Sequence, residues 1–227
     1  MFTQMRDRTA TAIRTVLSRI RREEDGIAAV EFAMILPLML TLYIGTAEMT
    51  NAIMASRKET LVARTLSDLI AQQASGVDLV ETDLDGIFNA ATAIMAPFNP
   101  AILKMTITSV EFVANAGAAS GTGFDAKPRW TAIRNGSTKR PCAVLTKVNN
   151  TDTPAANNMP VGIYGAGSVI VADTSYTYVP NFGSTFMSWD TNGITFSHTT
   201  YMRPRNTTLI NYKPASVPAT STICAAY

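Results

Sequence analysis

The sequence predicts an α+β protein: a long N-terminal transmembrane helix, extended into a second amphipathic helix, packed on a small antiparallel β-sheet. Three observations predict it. An uncharged, largely apolar run fills Phe32 to Ala47. Apolar residues then recur at helical spacing as far as Met95. After Pro100 the composition turns from Ala, Leu and Met toward Thr, Val, Tyr, Gly and Asn, which favours strands. With 227 residues the chain has room for one anchor and one domain of ordinary size.

Residues 1–26 read as a basic leader with no feature that needs a fold. Six arginines (Arg6, Arg8, Arg14, Arg19, Arg21, Arg22) stand against four acids before Gly26. Arg57, Lys58 and Arg64 follow the apolar run, so the charge asymmetry places the N-terminus in the cytoplasm and the chain beyond about Met54 outside the inner membrane. The rest is balanced, 13 basic residues against 13 acidic. Phosphate binding needs clustered Lys and Arg, so nucleic acid is excluded as a partner class. The 16 residues from Phe32 to Ala47 span about 24 Å as a helix, and Ile27 to Met54 about 42 Å, which brackets a bilayer core of about 30 Å. The expected organisation is a leader over 1–26, a transmembrane helix over 27–54, a helical region over 55–100 and a β-rich domain over 101–227. Pro37 removes one backbone donor and frees the carbonyl of Ala33, which predicts a mild kink rather than a break.

The first helix is predicted to run on to about Gln73, with Leu61, Val62, Leu66, Leu69 and Ile70 inward and Arg57, Lys58, Arg64 and Asp68 wet. Gly76 ends it, and Ser75 or Asp78 is available to cap the next. That helix carries Val80, Leu84, Ile87, Phe88, Ala91, Ile94 and Met95 on one face, with Asp78, Glu81, Asp83 and Asp85 where its dipole favours negative charge; Pro97 closes it. Strands are expected over Leu103–Val113 and Ser168–Val179, and more weakly over Pro128–Arg134 and Ile194–Met202, the last launched by Asn192-Gly193. The apolar alternation of the first strand changes parity at Val110 and Phe112, which predicts a bulge near Ser109. Residues 114–126 and 149–160 read as loops.

Candidate sites are few. Cys142 and Cys224 are far apart and in no CxxC spacing, so in an exported chain they read as a disulfide; two buried free thiols are the alternative. The ETDLDG run from Glu81 to Gly86 has the alternating acids of a calcium loop, but its twelfth position is Thr92, not Glu, and an amphipathic helix explains the same residues. The GIYGAG run from Gly162 to Gly167 precedes a strand instead of opening a helix, so it fails as a phosphate loop. Phe182, Phe186, Trp189 and Phe196 are core or a partner surface. The single histidine, His198, has no nucleophile motif around it. The sequence therefore predicts no catalytic centre, no metal site and no cofactor.

The sharpest feature is Glu31, five residues after Gly26 at the head of the apolar run. A carboxylate among apolar residues in a bilayer costs about 2.5–3.5 kcal/mol on insertion scales, so its default reading is functional. The alternative is an interfacial acid that faces lipid headgroups. The register Gly26-Ile27 followed by Glu31 resembles the type IV prepilin signal, in which a dedicated peptidase cuts after the glycine and a glutamate stands at the fifth mature position. The wording GIAAVEFAMILPLML resembles the TadE/TadG family, minor pilin-like proteins of the tight-adherence (Tad, type IVb) pilus apparatus. Major pilins of that system usually carry Glu-Tyr where this chain has Glu31-Phe32, and they are much shorter. Both departures point to a minor component.

This resemblance covers roughly residues 20–60. It implies a pilin-like layout, leader cleavage between Gly26 and Ile27, a subunit-pairing role for Glu31 beside Phe32, and as partners other pilins, Tad inner-membrane platform proteins, a prepilin peptidase and membrane lipid. The YMRPR segment, Tyr201 to Arg205, resembles alphaproteobacterial members of the group and implies a bacterial source. Two rivals remain at this point: an uncleaved membrane scaffold like larger TadG-like proteins, and a secreted protein cut after Gly45-Thr46-Ala47.

Overall fold

The computed structural model describes residues 25–115, 123–180 and 193–224. Helix α1 runs unbroken over Asp25–Ala71, 47 residues, through Pro37. Helix α2 spans Glu81–Ala93. The strands are β1 (Lys104–Ala114), β2 (Phe124–Arg134), β3 (Thr146–Val148), β4 (Asn158–Pro160), β5 (Gly167–Tyr178), β6 (Ile194–Met202) and β7 (Ser221–Ile223). The sheet has five antiparallel strands in the order β6-β5-β1-β2-β7, while β3 and β4 form a separate parallel pair.

The distal half of α1 packs on β5 and β6 through a stripe of Ala55, Glu59, Val62, Leu66 and Ile70, all at most 1 % exposed. The spacing of four, three, four and four residues keeps them on one side of a 3.6-residue turn. Leu61, expected inside, is 51 % exposed. Glu59, an acid, takes a place in the stripe instead, because the sheet offers it a hydroxyl (below). Burying each aliphatic side chain of this stripe contributes about 1.5–3 kcal/mol.

Helix α2 folds back against α1 and buries Leu84, Phe88 and Ala91. Its start differs from expectation. Val80 is the N-cap, with no side-chain bond; Leu79 is instead tied by backbone bridging to Tyr212, and Asp78 faces Lys213 at 3.9 Å. The long-range bridge fixes the entry angle that a capping side chain would otherwise set.

The C-terminus of α1 is closed from far along the chain. The Arg205 backbone N–H donates to Ala71 O at 2.9 Å, its guanidinium pairs with Asp68, and Asn206 Nδ2 donates to Gln72 O at 3.0 Å. Arg203, two residues earlier, donates to Ala166 O at 2.8 Å and Ile163 O at 3.1 Å. A Cβ on Gly165 would sit 2.7 Å from its Nη2. The arginines of the YMRPR segment thus clamp the helix end and the turn before β5.

The sheet is buried on both faces, which explains the parity change in β1. Met105 and Ile107 face α1 in the larger core, with Trp130, Ile170 and Tyr176. Val110 and Phe112 face the opposite side, in a second core with Leu145, Met159 and Val171. The β1–β2 register does shift between Ser109 and Val110, where Ser109 pairs with Trp130 and Val110 with Pro128. The β1–β5 register runs through the same residues without a shift. The extra residue is therefore Arg129 on β2, and β1 itself alternates regularly. Gly193 turns the chain into β6 with φ 78°, and a Cβ there would lie 2.5 Å from Tyr178 O, so a side chain is excluded; Asn192 lies outside the described residues.

The second face is covered by the segment between β2 and β5. Arg140, fully buried, makes two 2.8 Å contacts with Asp173 and donates to Asn158 O at 2.9 Å. Thr199 adds a 2.7 Å bond to the same carboxylate. Cys142 and Cys224 form a disulfide with a Cα–Cα distance of 5.3 Å across 82 residues, tying this cover to the chain's end. Removing one member of a buried pair strands the other's charge, so Arg140→Ala should destabilise the full chain by about 3–5 kcal/mol in chemical denaturation. Reduction of the disulfide should lower stability by about 4–5 kcal/mol on the chain-entropy model.

Candidate functional site

The apolar first half of α1 leaves the domain altogether. Between Ile27 and Tyr43 the large apolar side chains stand exposed, including Val30 and Phe32 at 62 % and 60 %, and this helix is long and apolar enough to cross a membrane. Contact with the sheet starts at Glu48, whose Oε2 accepts a 2.5 Å bond from Tyr178, and continues at Ala52 and Ala55. The free stretch from Gly26 to Ala47 is then about 33 Å long, close to the ~30 Å of a hydrocarbon core. Its two threonine hydroxyls are satisfied within the helix. Thr41 donates to Pro37 O at 2.8 Å and Thr46 to Leu42 O at 3.0 Å, so neither hydroxyl is left unpaired on the exposed surface.

Within this stretch Gly26, Ile27, Glu31 and Phe32 lie together at the exposed N-terminal end of α1. Ile27 and Glu31 are four residues apart and share one side of the helix. Glu31 has no hydrogen-bond or ion-pair partner among the described residues. Gly26 is not required by the fold. It has no positive φ, and a Cβ there would meet nothing within 4 Å. Glycine inside a helix costs roughly 0.5–1 kcal/mol against alanine, so its presence calls for a reason outside this packing.

The other singled-out residues are scaffold. Glu81–Gly86 forms the first turns of α2, and Val161–Ile163 is a 3-10 turn leading into β5. His198 lies on β6, its pKa lowered by burial and then by Arg64. Phe196 packs against the main core; Phe182, Phe186 and Trp189 lie outside the described residues.

Glu59 is the titratable group that sequence reasoning missed. It is 1 % exposed between α1 and the sheet, where Thr174 donates a hydrogen bond to it. An acid on a helix reads as wet; the available signal was its place four residues after Ala55 and three before Val62. Burial raises its pKa above the ordinary 4.5, opposed by the Thr174 and His198 hydrogen bonds. The folded state therefore binds this proton more tightly than the unfolded chain. The domain is relieved of the cost at acid pH and loses stability as pH rises from the ordinary carboxylate value through the raised one. Glu59→Gln should raise the thermal midpoint of the full chain in detergent at pH 7 and leave it nearly unchanged at pH 4. A variant less stable than wild type at pH 7 would contradict this assignment.

No curated protein and no solved structure matches the chain. The family described as TadE-like protein does match, over residues 26–65, which takes in the free half of α1, its junction with the sheet at Glu48 and the first part of the packed stripe. Over that segment the chain is similar to TadE-like proteins, in agreement with the resemblance carried by Gly26, Glu31 and the apolar run to Ala47.

Proposed function

We propose that this protein is a minor pilin-like (pseudopilin) component in the assembly of a Tad-type type IVb pilus. The observation that carries the reading is the TadE-like match, which takes in the whole of the helix half that the domain leaves uncovered. In this reading α1 is a single-pass anchor in a bacterial inner membrane, with the N-terminus cytoplasmic and the sheet domain periplasmic. The layout is a leader over 1–26, an anchor over 27–54, a helical region over 55–100 and a β-rich domain over 101–227. The Cys142–Cys224 disulfide suits an oxidising compartment, and the arginine excess before Gly26 suits a cytoplasmic start.

The mechanism is assembly by contact. A prepilin peptidase removes the leader after Gly26; the catalytic groups are the peptidase's, and this chain supplies the substrate residues. Cleavage creates an ammonium on Ile27, one turn from Glu31. In the low dielectric of the membrane the Glu31 carboxylate of one subunit attracts the Ile27 ammonium of a neighbour, which neutralises two charges that lipid would penalise. Phe32 and the exposed apolar surface pack against other pilins, platform proteins and lipid. The role is structural rather than enzymatic.

Glu31→Ala should insert into membranes in wild-type amount, because it makes the helix more apolar. Its recovery in sheared pili or purified assembly complexes should fall by about tenfold, the equivalent of one 1.4 kcal/mol interaction. Recovery equal to wild type would contradict the pairing role.

A further inference from the structure

Two contacts along α1 fix which end of the domain points at the uncovered half of that helix. Tyr178, at the end of β5, donates to Glu48, and Thr174, four residues earlier, donates to Glu59, eleven residues farther along α1. Four residues of strand cover about 13 Å and eleven of helix about 17 Å, so β5 runs antiparallel to α1 and nearly along it. The Tyr178 end of the sheet therefore faces the start of the apolar run. β6 begins at this end too, since Tyr178 pairs with Ile194. Phe98, in the turn after α2, joins it with its ring centroid 6.1 Å from that of Tyr178.

This end of the domain is apolar where a surface in water is ordinarily polar. Val179 and Ile194 are 55 % and 47 % exposed, and Met49 and Ile53 stand exposed on the first turns of α1 past Glu48. Ala96 and Pro97 of the turn after α2 are exposed as well. Its charges have one sign. The segments that form it, residues 49–58, 94–104, 175–180 and 193–197, contain Arg57, Lys58 and Lys104 and no acid. The acids Asp78, Glu81, Asp83 and Asp85 lie toward the opposite end, because α2 runs back along α1 until Lys58 Nζ meets Ile94 O at 2.9 Å.

We propose that this end of the domain is a second membrane contact, a docking surface for the phospholipid bilayer. Val179, Ile194 and the exposed turn enter the interface, and the exposed Arg57 and Lys104 stay above it, where long basic side chains reach phosphates. The inference rests on the reading of α1 as a membrane anchor. With Gly26 to Ala47 filling a hydrocarbon core of about 30 Å, Glu48 stands at its surface, and the residues that meet Glu48 stand there with it. Tyr43, exposed about 7.5 Å before Glu48, falls where the aromatic side chains of membrane helices gather. A symmetric contact with a second copy would set these basic residues against each other, whereas an anionic lipid surface complements them. Docking on lipid also fixes the rotation of α1 in the bilayer, and with it the direction in which Glu31 is presented.

The test places the full chain, one copy per disc, in phosphatidylethanolamine–phosphatidylglycerol nanodiscs and reads isoleucine and valine methyl signals by NMR. A lipid with a nitroxide high on its acyl chain should erase most of the Val179 and Ile194 intensity, and a water-soluble gadolinium chelate should spare both. Ile223 should respond in the opposite way. It is 45 % exposed, and its register through Trp130 and Ser109 to Ile170 puts it eight strand residues, about 26 Å, from the Tyr178 level. Ile35, in the uncovered half of α1, should be erased by a nitroxide at the end of the acyl chain. If the chelate attenuates Val179 and Ile194 as strongly as Ile223 while Ile35 is still erased from the lipid side, the docking surface is overturned and the anchor stands. Sparing of Val179 and Ile194 by both reagents would show a protein cover and overturn the lipid contact. Attenuation of Ile35 by the chelate and not by the lipid nitroxide would overturn the anchor and this surface together.

Discussion

Everything in this molecule hangs on one helix, which the domain leaves uncovered along its first half and packs against along its second. From Gly26 to Ala47 the helix carries a single charge, Glu31, and from Ile27 to Tyr43 its large apolar side chains stand exposed. From Glu48 onward the same helix must be apolar on a single stripe. The change of pattern fixes where the domain sits. Tyr178 reaches Glu48 at the first position where a carboxylate is placed to meet the sheet, and Ala55 allows β5 close approach one turn after Ala52. At the other end Arg205 and Asn206 bond the carbonyls that the last turn of α1 would otherwise leave open. The domain is thereby gripped along the helix from Glu48 to Gln72.

Covering both faces of a five-stranded sheet with so short a chain demands economy on the side away from α1. Among the described residues no α-helix is spent there. A segment with little regular structure is instead pinned by the Arg140–Asp173 pair and by the disulfide. Arg140 also donates to the carbonyl of Asn158, so one guanidinium satisfies both a charge and the backbone of the covering segment. Burial of such a pair is costly in itself; its value lies in fixing one arrangement of a segment that carries few apolar residues of its own.

Local periodicity made α1, β1 and β5 legible in the sequence, since each is long and strongly patterned, and β6 more weakly. What stayed illegible depends on distant partners. The parity change at Val110 locates the β-bulge in the β1–β2 pairing, but it does not show that the extra residue lies on β2 or that β1 is buried on both faces, because alternation cannot distinguish a strand that switches face from one with two cores. The parallel β3–β4 pair is made of three-residue strands, too short to carry a period. Glu59 carries no motif, and its burial becomes legible only once Thr174 is placed opposite it. At the N-terminal end of α1 the sequence says more than the domain packing does: Gly26, Ile27, Glu31 and Phe32 touch nothing in the folded domain, and their spacing is their whole signal.

The central claim, that this end of α1 is made by processing and used in assembly, is tested most directly by the mass and N-terminal sequence of the protein recovered from its native membranes. The account predicts a chain beginning at Ile27. A chain beginning at Met1 would contradict cleavage and identify an uncleaved anchored scaffold, and one beginning at Glu48 would remove the membrane role altogether.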